Sequence, residues 1–298
     1  MSEARGQAGG QSEGQSEGQA ESLSARLLLP FPPGCRVTHL VRREKRFTMV
    51  TTDPMSGLEV RAHTNNTGTM LGLLRPGAAA LLSPAANPDR ALKWTLEALA
   101  LPTVVPRGPA AAPKDSLLDP KGPWAGVNTL TPNRLLAAAF QAGLLPQAHG
   151  YTKLAREAVI GASRLDALIT GDGLPPLYVE CKNVTLVEHG QALFPDAATE
   201  RGRKHLAELT RLARDGCRAA LFFLVQRPDG DCFAPAEAID PDYAQALAVA
   251  LAAGVETWVW RARITEAGIA LAEPLPLAPA WAARQRRTKP SAPIIYTP

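Results

Sequence analysis

Hydrophobic and polar positions along the chain follow two regimes. From Cys35 to about Leu82 short apolar runs alternate with turn-forming residues: Val37 to Thr52 is β-rich, Asp53-Pro54-Met55-Ser56-Gly57 reads as a turn, Leu58 to Thr64 as a strand, and Asn65-Asn66-Thr67-Gly68 as another turn. Closing so many short strands on themselves predicts a small β-barrel. After residue 124 the period changes. Thr131 is placed to cap a helix with Pro132 at its first position, running to Gly143 with Leu135, Leu136, Ala139 and Phe140 on one face. Strands follow at Thr152–Ile160, Leu165–Thr170 and Leu177–Lys182, then a helix over Ala198–Arg214 closed by Gly216. Arg218–Val225 is apolar on both faces, as an interior strand is. Asp240-Pro241 opens a helix to about Ala253, and Val255–Ile264 returns as a strand. The order α-β-β-β-α-β-α-β places a parallel crossover after the third strand.

These regimes divide the 298 residues into a tail over 1–24, a barrel over 25–100, a linker or surface insertion over 101–123, an α/β domain over 124–275 and a basic, Pro-containing tail over 276–298. The first tail repeats Gln-Ser-Glu-Gly and offers no core residues, which predicts disorder. The segment Leu101–Pro123 is rich in Pro, Ala and Gly. Hydrophobic residues make up 46% and charged residues 20%, enough apolar surface for two cores. No apolar run has the length of a membrane span, and Leu27-Leu28-Leu29 is broken at once by Pro30, which argues against a secretory signal. Four cysteines without a C-x-x-C pair fit a reduced, cytoplasmic protein. The formal charge of +4 is small, so affinity for a polyanion has to come from clustered charge.

Candidate chemistry concentrates in the pattern Asp166-x13-Glu180-Cys181-Lys182. Alternation along a strand puts Glu180 and Lys182 on one face and Val179 and Cys181 on the other. Asp166 and Glu180 on adjacent strands can hold a hard divalent cation, Mg²⁺ (or Mn²⁺), with the Cys181 carbonyl as a further ligand. Lys182 then either activates the attacking water or stabilises charge. Glu157 on the preceding strand is a ligand, directly or through water, or an ordinary surface residue. Arg201, Lys204 and His205 share a helix face that can look onto a phosphate cleft or simply onto solvent. Arg42, Arg43, Lys45 and Arg46 with Phe47 form a basic stripe carrying one aromatic ring, of the kind that binds single strands, or a plain charged strand.

The order of elements, with an acid on the first strand, an acid on the second and Glu-x-Lys on the third, resembles the PD-(D/E)XK nuclease core. Local strings point further: Arg46-Phe47, Asn66-Thr67-Gly68, Val127-Asn128-Thr129, Ser163-Arg164-Leu165-Asp166, Val179 to Leu186, Phe194 to Leu206 and Gly254-Val255-Glu256. With these the chain is similar, over roughly residues 35–275, to the sugar fermentation stimulation protein family. That resemblance implies an α+β architecture, an N-terminal OB-type β-barrel followed by a restriction-endonuclease-like mixed sheet flanked by helices. It also implies DNA, single- or double-stranded and without sequence preference, as the partner. The expected function is low-specificity DNA binding with a Mg²⁺-dependent phosphodiesterase site. The alternative is a non-catalytic DNA-binding regulator of sugar metabolism genes that keeps a nuclease fold. A sugar-metabolising enzyme finds no support, for there is no phosphate loop, dinucleotide fingerprint or nucleophile elbow.

Overall fold

The computed structural model describes residues 27–102, 122–160 and 163–286. The expected tail over 1–24, most of the expected insertion over 101–123 and the end of the basic tail lie outside the described residues.

A first strand, β1 (Leu27–Pro30), is followed by six that build the barrel: β2 (Arg36–Glu44), β3 (Thr48–Thr52), β4 (Glu59–His63), β5 (Ala79–Pro84), β6 (Trp94–Ala100) and β7 (Trp124–Gly126). They are ordered β4-β3-β2-β5-β6-β7, and a parallel pairing of β4 with β6 closes five of them into an OB-type barrel. Closure leaves these strands without free edges. Leu40, Met49, Ala62, Leu82, Leu96 and Leu99 alternate inward and fill the centre. The turn expected at Asp53 forms because its carboxylate accepts the Met55 and Ser56 amides at 2.9 and 3.0 Å.

The second domain comprises α1 (Thr131–Gln141), β8 (Lys153–Ile160), β9 (Ser163–Thr170), β10 (Leu177–Val184), β11 (Leu186–Glu188), β12 (Gln191–Phe194), α2 (Glu200–Arg214), β13 (Arg218–Val225), β14 (Cys232–Pro235), α3 (Pro241–Ala252), β15 (Glu256–Thr265), β16 (Gly268–Pro274) and α4 (Pro279–Arg286). Its main sheet runs β1-β16-β15-β13-β10-β9-β8, parallel at β10–β13–β15 and antiparallel outside. The all-apolar β13 is the central strand and is buried from Ala219 to Val225. Leu135, Leu136 and Ala139 of α1 pack on one face with Val179 and Cys181. Leu206, Leu209 and Leu247 of α2 and α3 pack on the other. A small sheet, β11-β12-β14, sits beside the main one.

Three boundaries differ from the sequence expectation. Leu27–Pro30 does not start the barrel; β1 pairs antiparallel with β16 and forms the edge of the second domain's sheet. Beyond residue 275 the chain is still packed, because Leu275, Ala278 and Trp281 recur on one side and are buried. Thr131 is the first residue of α1 and not its cap. Leu130 holds the cap position without a side-chain bond, since the Asn128 carboxamide already accepts the Leu130 amide at 3.0 Å and the Asn128 carbonyl accepts that of Thr131 at 3.1 Å. Among the described residues no helix is long and apolar enough to cross a membrane.

Candidate active site

Strands β9 and β10 pair through Ile169–Leu177, Leu168–Tyr178 and Ala167–Val179, and continuing that register would set Asp166 opposite Glu180. The backbone pairing stops there. In place of a carbonyl, the Asp166 carboxylate accepts the Cys181 amide at 2.8 Å on one oxygen, and the Asn133 carboxamide of α1 at 2.6 Å on the other. The facing pattern also breaks at this residue: Leu165 packs on the α2–α3 side, Ala167 and Ile169 on the α1 side. Asp166 therefore sits at a seam in the sheet where its carboxylate is oriented by two N–H donors.

Glu180 and Lys182 do share a face, with Val179 and Cys181 on the other. They are 3% and 9% exposed. Lys182 Nζ lies 2.7 Å from Glu180 Oε1, and His205 Nδ1 of α2 meets the same oxygen. Glu180 Oε2 is buried with no hydrogen-bond partner among the described residues. Burial pushes the Glu180 carboxyl up, but Lys182 and His205 more than offset it and hold it below the ordinary glutamate range. For Asp166 the balance goes the other way. Burial, then the charge of Glu180, raise it above the ordinary aspartate range despite the Cys181 and Asn133 donors. Burial pushes the Cys181 thiol well up, so that sulfur is a packing group.

Glu157 lies opposite Asp166 on β8, between the paired Arg156–Ala167 and Ala158–Leu165, with a left-handed φ of 57°. Its carboxylate is exposed and meets Arg164 at 3.4 Å. Among the described residues no group of three or more His, Cys, Asp and Glu side chains is placed to hold a metal ion.

Lys182 opens onto a cleft of about 690 Å³ between the two domains. One wall is the barrel loop Asn65–Gly68 with Arg46; the other runs from Phe194 to Arg201 at the start of α2. The walls are joined. Asp196 accepts the Met70 amide at 3.1 Å, and its backbone carbonyl accepts the Thr69 hydroxyl, also at 3.1 Å. At position 68 a Cβ would come within 2.6 Å of the Asp196 carboxylate, so a larger residue would displace that carboxylate from its partners. Asn65 donates to Asn128 at 3.0 Å, Asn128 to the buried Glu97 at 2.9 Å, and the Gly126 amide to the Gln226 carbonyl at 2.8 Å. Gln226 also bonds Asn183, next to Lys182.

The basic residues expected around this cleft are sorted by the structure. Arg46 and Arg201 are exposed, line it and have no acidic partner among the described residues. Arg42 is paired with Glu44 and Glu59. Arg43 turns inward and donates to the carbonyls of Asn66 and Arg46 at 2.7 Å and of Gly68 at 2.8 Å, holding the barrel loop. Lys45 occupies the β2–β3 turn with a φ of 55°. Phe47 stays exposed beside the turn and stacks on His63. Lys204 is paired with Glu200 at the surface, 2.8 Å apart, whereas the next residue, His205, points into the site. Asn133 and Asp196 escaped the sequence reading as site residues. The signal for Asp196 was present, since Asn66-Thr67-Gly68 and Phe194–Leu206 are two of the strings that carried the resemblance and here they meet.

Two family models match: the SfsA N-terminal OB domain over residues 41–105 and the sugar fermentation stimulation protein RE domain over residues 130–268. The chain belongs to the sugar fermentation stimulation protein family. A homologue from Maridesulfovibrio salexigens is 52% identical over 84% of this chain and 97% of its own length. One from Lawsonia intracellularis is 46% identical over 85% and 98%. Among solved structures, Pyrococcus furiosus SfsA in complex with Ca²⁺ superposes with a TM-score of 0.72 at 27% identity, covering 85% of this chain and 100% of that one. Both domains of the family are thus present here, in the family's order.

Proposed function

We propose that the protein binds DNA in the cleft between barrel and mixed sheet with little sequence preference, and hydrolyses phosphodiester bonds there with the help of Mg²⁺ (or Mn²⁺). The observation that carries this reading is the convergence of Asp166, Glu180 and Lys182 directly behind the cleft, which Lys182 itself lines, with one buried oxygen of Glu180 left unpartnered among the described residues. A buried carboxylate oxygen without a partner is costly, and Asp166 suffers further from the charge of Glu180. A cation between Asp166 and Glu180 answers both, and oxygen donors suit Mg²⁺ or Mn²⁺. A family member solved with Ca²⁺, another oxygen-seeking ion, supports this. When bound, such an ion supplies Lewis acidity toward the phosphate.

The chain's own residues supply the rest. The Cys181 amide and Asn133 fix the orientation of Asp166. Lys182 spends one N–H on Glu180 and has others to offer a phosphate oxygen as its charge grows. Arg46 and Arg201 face the backbone phosphates from opposite walls, contacts that position a strand without reading its sequence. Four free cysteines fit a reducing compartment, and the cytoplasm is the location proposed.

The second reading, DNA binding without catalysis, is favoured by one observation: Lys182 and His205 already compensate one oxygen of Glu180 without any cation. Incubating the protein with plasmid, linear duplex and single-stranded DNA, each with Mg²⁺, Mn²⁺ or EDTA, separates the two. Cleavage that is EDTA-sensitive and copurifies with the protein is expected. In Lys182→Ala it should fall by about two orders of magnitude with DNA binding retained. Lys182→Arg should not restore it, because a guanidinium is larger and differently shaped. Binding without cleavage under any metal would establish the non-catalytic reading.

A further inference from the structure

We propose that the cleft takes a single strand of DNA, not a duplex, and that Phe47 with His63 on the barrel rim forms the shelf on which its bases stack. This rests on reading the cleft as a DNA site and adds to it the form of the substrate. Two independent observations carry it.

The first is access. Lys182, nearly buried, forms the floor of the cleft, and Glu180 lies behind it, bonded to its ammonium. A double helix is a stiff rod, and it brings a phosphate to that floor only if the walls part. The walls are tied by the bonds from Thr69 and Met70 to Asp196 and from Thr129 to the Asn65 carbonyl, the last at 3.3 Å. The space between them, about 690 Å³, is that of a small-ligand pocket. One or two nucleotides fit it; a turn of duplex does not.

The second is the rim. Phe47, in the turn immediately before β3, is 46% exposed, whereas Met49 two residues on is buried in the barrel. Its ring stacks on His63 with centroids 5.9 Å apart and planes inclined by 22°. His63 Nε2 is in turn bonded to Asn65 Oδ1 at 2.8 Å, which fixes the imidazole. Asn65 and Arg46, the neighbours of this pair, both line the cleft, so shelf and cleft are continuous. The exposed Arg46 guanidinium lies 5.9 Å from the Phe47 ring centre. A base arriving on the ring takes that place, and Arg46 turns to the phosphate. Splayed bases meeting an aromatic face beside cations is how single strands are held, whereas paired bases offer no free face.

Fluorescence anisotropy with a labelled oligothymidylate and a duplex of equal length, both in EDTA so that hydrolysis does not intervene, tests this. The strand should bind at least tenfold more tightly than the duplex. Phe47→Ala should weaken strand binding by about tenfold, the scale of one stacked base, and Phe47→Trp should retain it. Because Phe47 is exposed, circular dichroism and thermal melting of both variants should match the parent. Equal affinity for the two probes, or indifference to Phe47→Ala, overturns the inference. Metal-dependent cutting of duplex with no preference for strand overturns it while sustaining the nuclease reading. Tight, Phe47-dependent strand binding without cleavage under any metal sustains it while the catalytic reading fails.

Discussion

Asp166 and Glu180 are neighbours whose proton affinities the fold drives in opposite directions. Asp166 is raised by burial and by Glu180, so the folded state holds its proton more tightly than the unfolded chain does. Stability from this group is highest in acid and is lost as pH rises from the ordinary aspartate range through the raised value. Asp166→Asn should therefore increase the melting temperature at neutral pH in EDTA by a few degrees and have little effect in strong acid. Asn133 can rotate its amide to accept from the new side chain. Adding Mn²⁺ should stabilise the parent and not this variant. Glu180 has the opposite sign: burial is outweighed by Lys182 and His205. Its contribution is present above the ordinary glutamate range and lost as pH falls through the lowered value. Glu180→Gln strands Lys182 and His205 and should cost about 3 kcal/mol in urea unfolding. Equal signs for the two variants would refute this account of the pair. Both acids and Lys182 were legible in the sequence, since strand alternation alone sets Glu180 and Lys182 on one face. Asn133 was not, because nothing local to Thr131–Gln141 announces which distant carboxylate its amide meets.

The helix that brings Arg201 and His205 to the site is held at its first turn. Thr199 caps α2, its hydroxyl accepting the Gly202 amide at 3.0 Å, while its own amide donates to Asp240 at 2.7 Å. Asp240 caps α3 by accepting the Tyr243 amide at 2.9 Å and also meets Arg203 of α2 at 3.1 Å. One buried carboxylate thus joins the starts of two helices. Burial alone would raise it, but the Thr199 and Tyr243 amides and Arg203 prevail and hold it low. Its stabilisation is present above the ordinary aspartate range and disappears as pH falls through the lowered value. Asp240→Ala should cost about 3 kcal/mol, measured by urea unfolding at neutral pH, with a much smaller difference in strong acid. Asp240-Pro241 could be read as a helix start from its residues, as could the central strand from its unbroken apolar run. The trio β11-β12-β14 and the strand β1 could not. Their partners lie far along the chain, and short segments acquire strand geometry only from those partners.

For the whole molecule, the clamp at Asp196 decides whether barrel and mixed sheet behave as one body. Asp196→Ala removes the carboxylate that accepts from Met70 and Thr69, and Gly68→Ala pushes a methyl group into it. In calorimetry the parent should melt in a single transition, and the double variant in two, with weaker DNA binding. With Arg46 and Arg201 as the principal unpaired cations on the described walls, the logarithm of single-strand affinity should fall with that of salt at a slope of about −1.4. A salt-independent affinity would contradict the cleft as the binding surface. The strand β1 has a consequence in time. Leu27–Pro30 finds its place only beside Gly268–Pro274, so during synthesis one of the first ordered segments must wait for one of the last. The barrel can close while the ribosome is still working, whereas the second sheet is completed only near the end of translation. A product that starts at Trp124 would present β16 as a bare edge, a template for pairing with other chains. The second half of the protein therefore requires residues encoded ahead of the barrel.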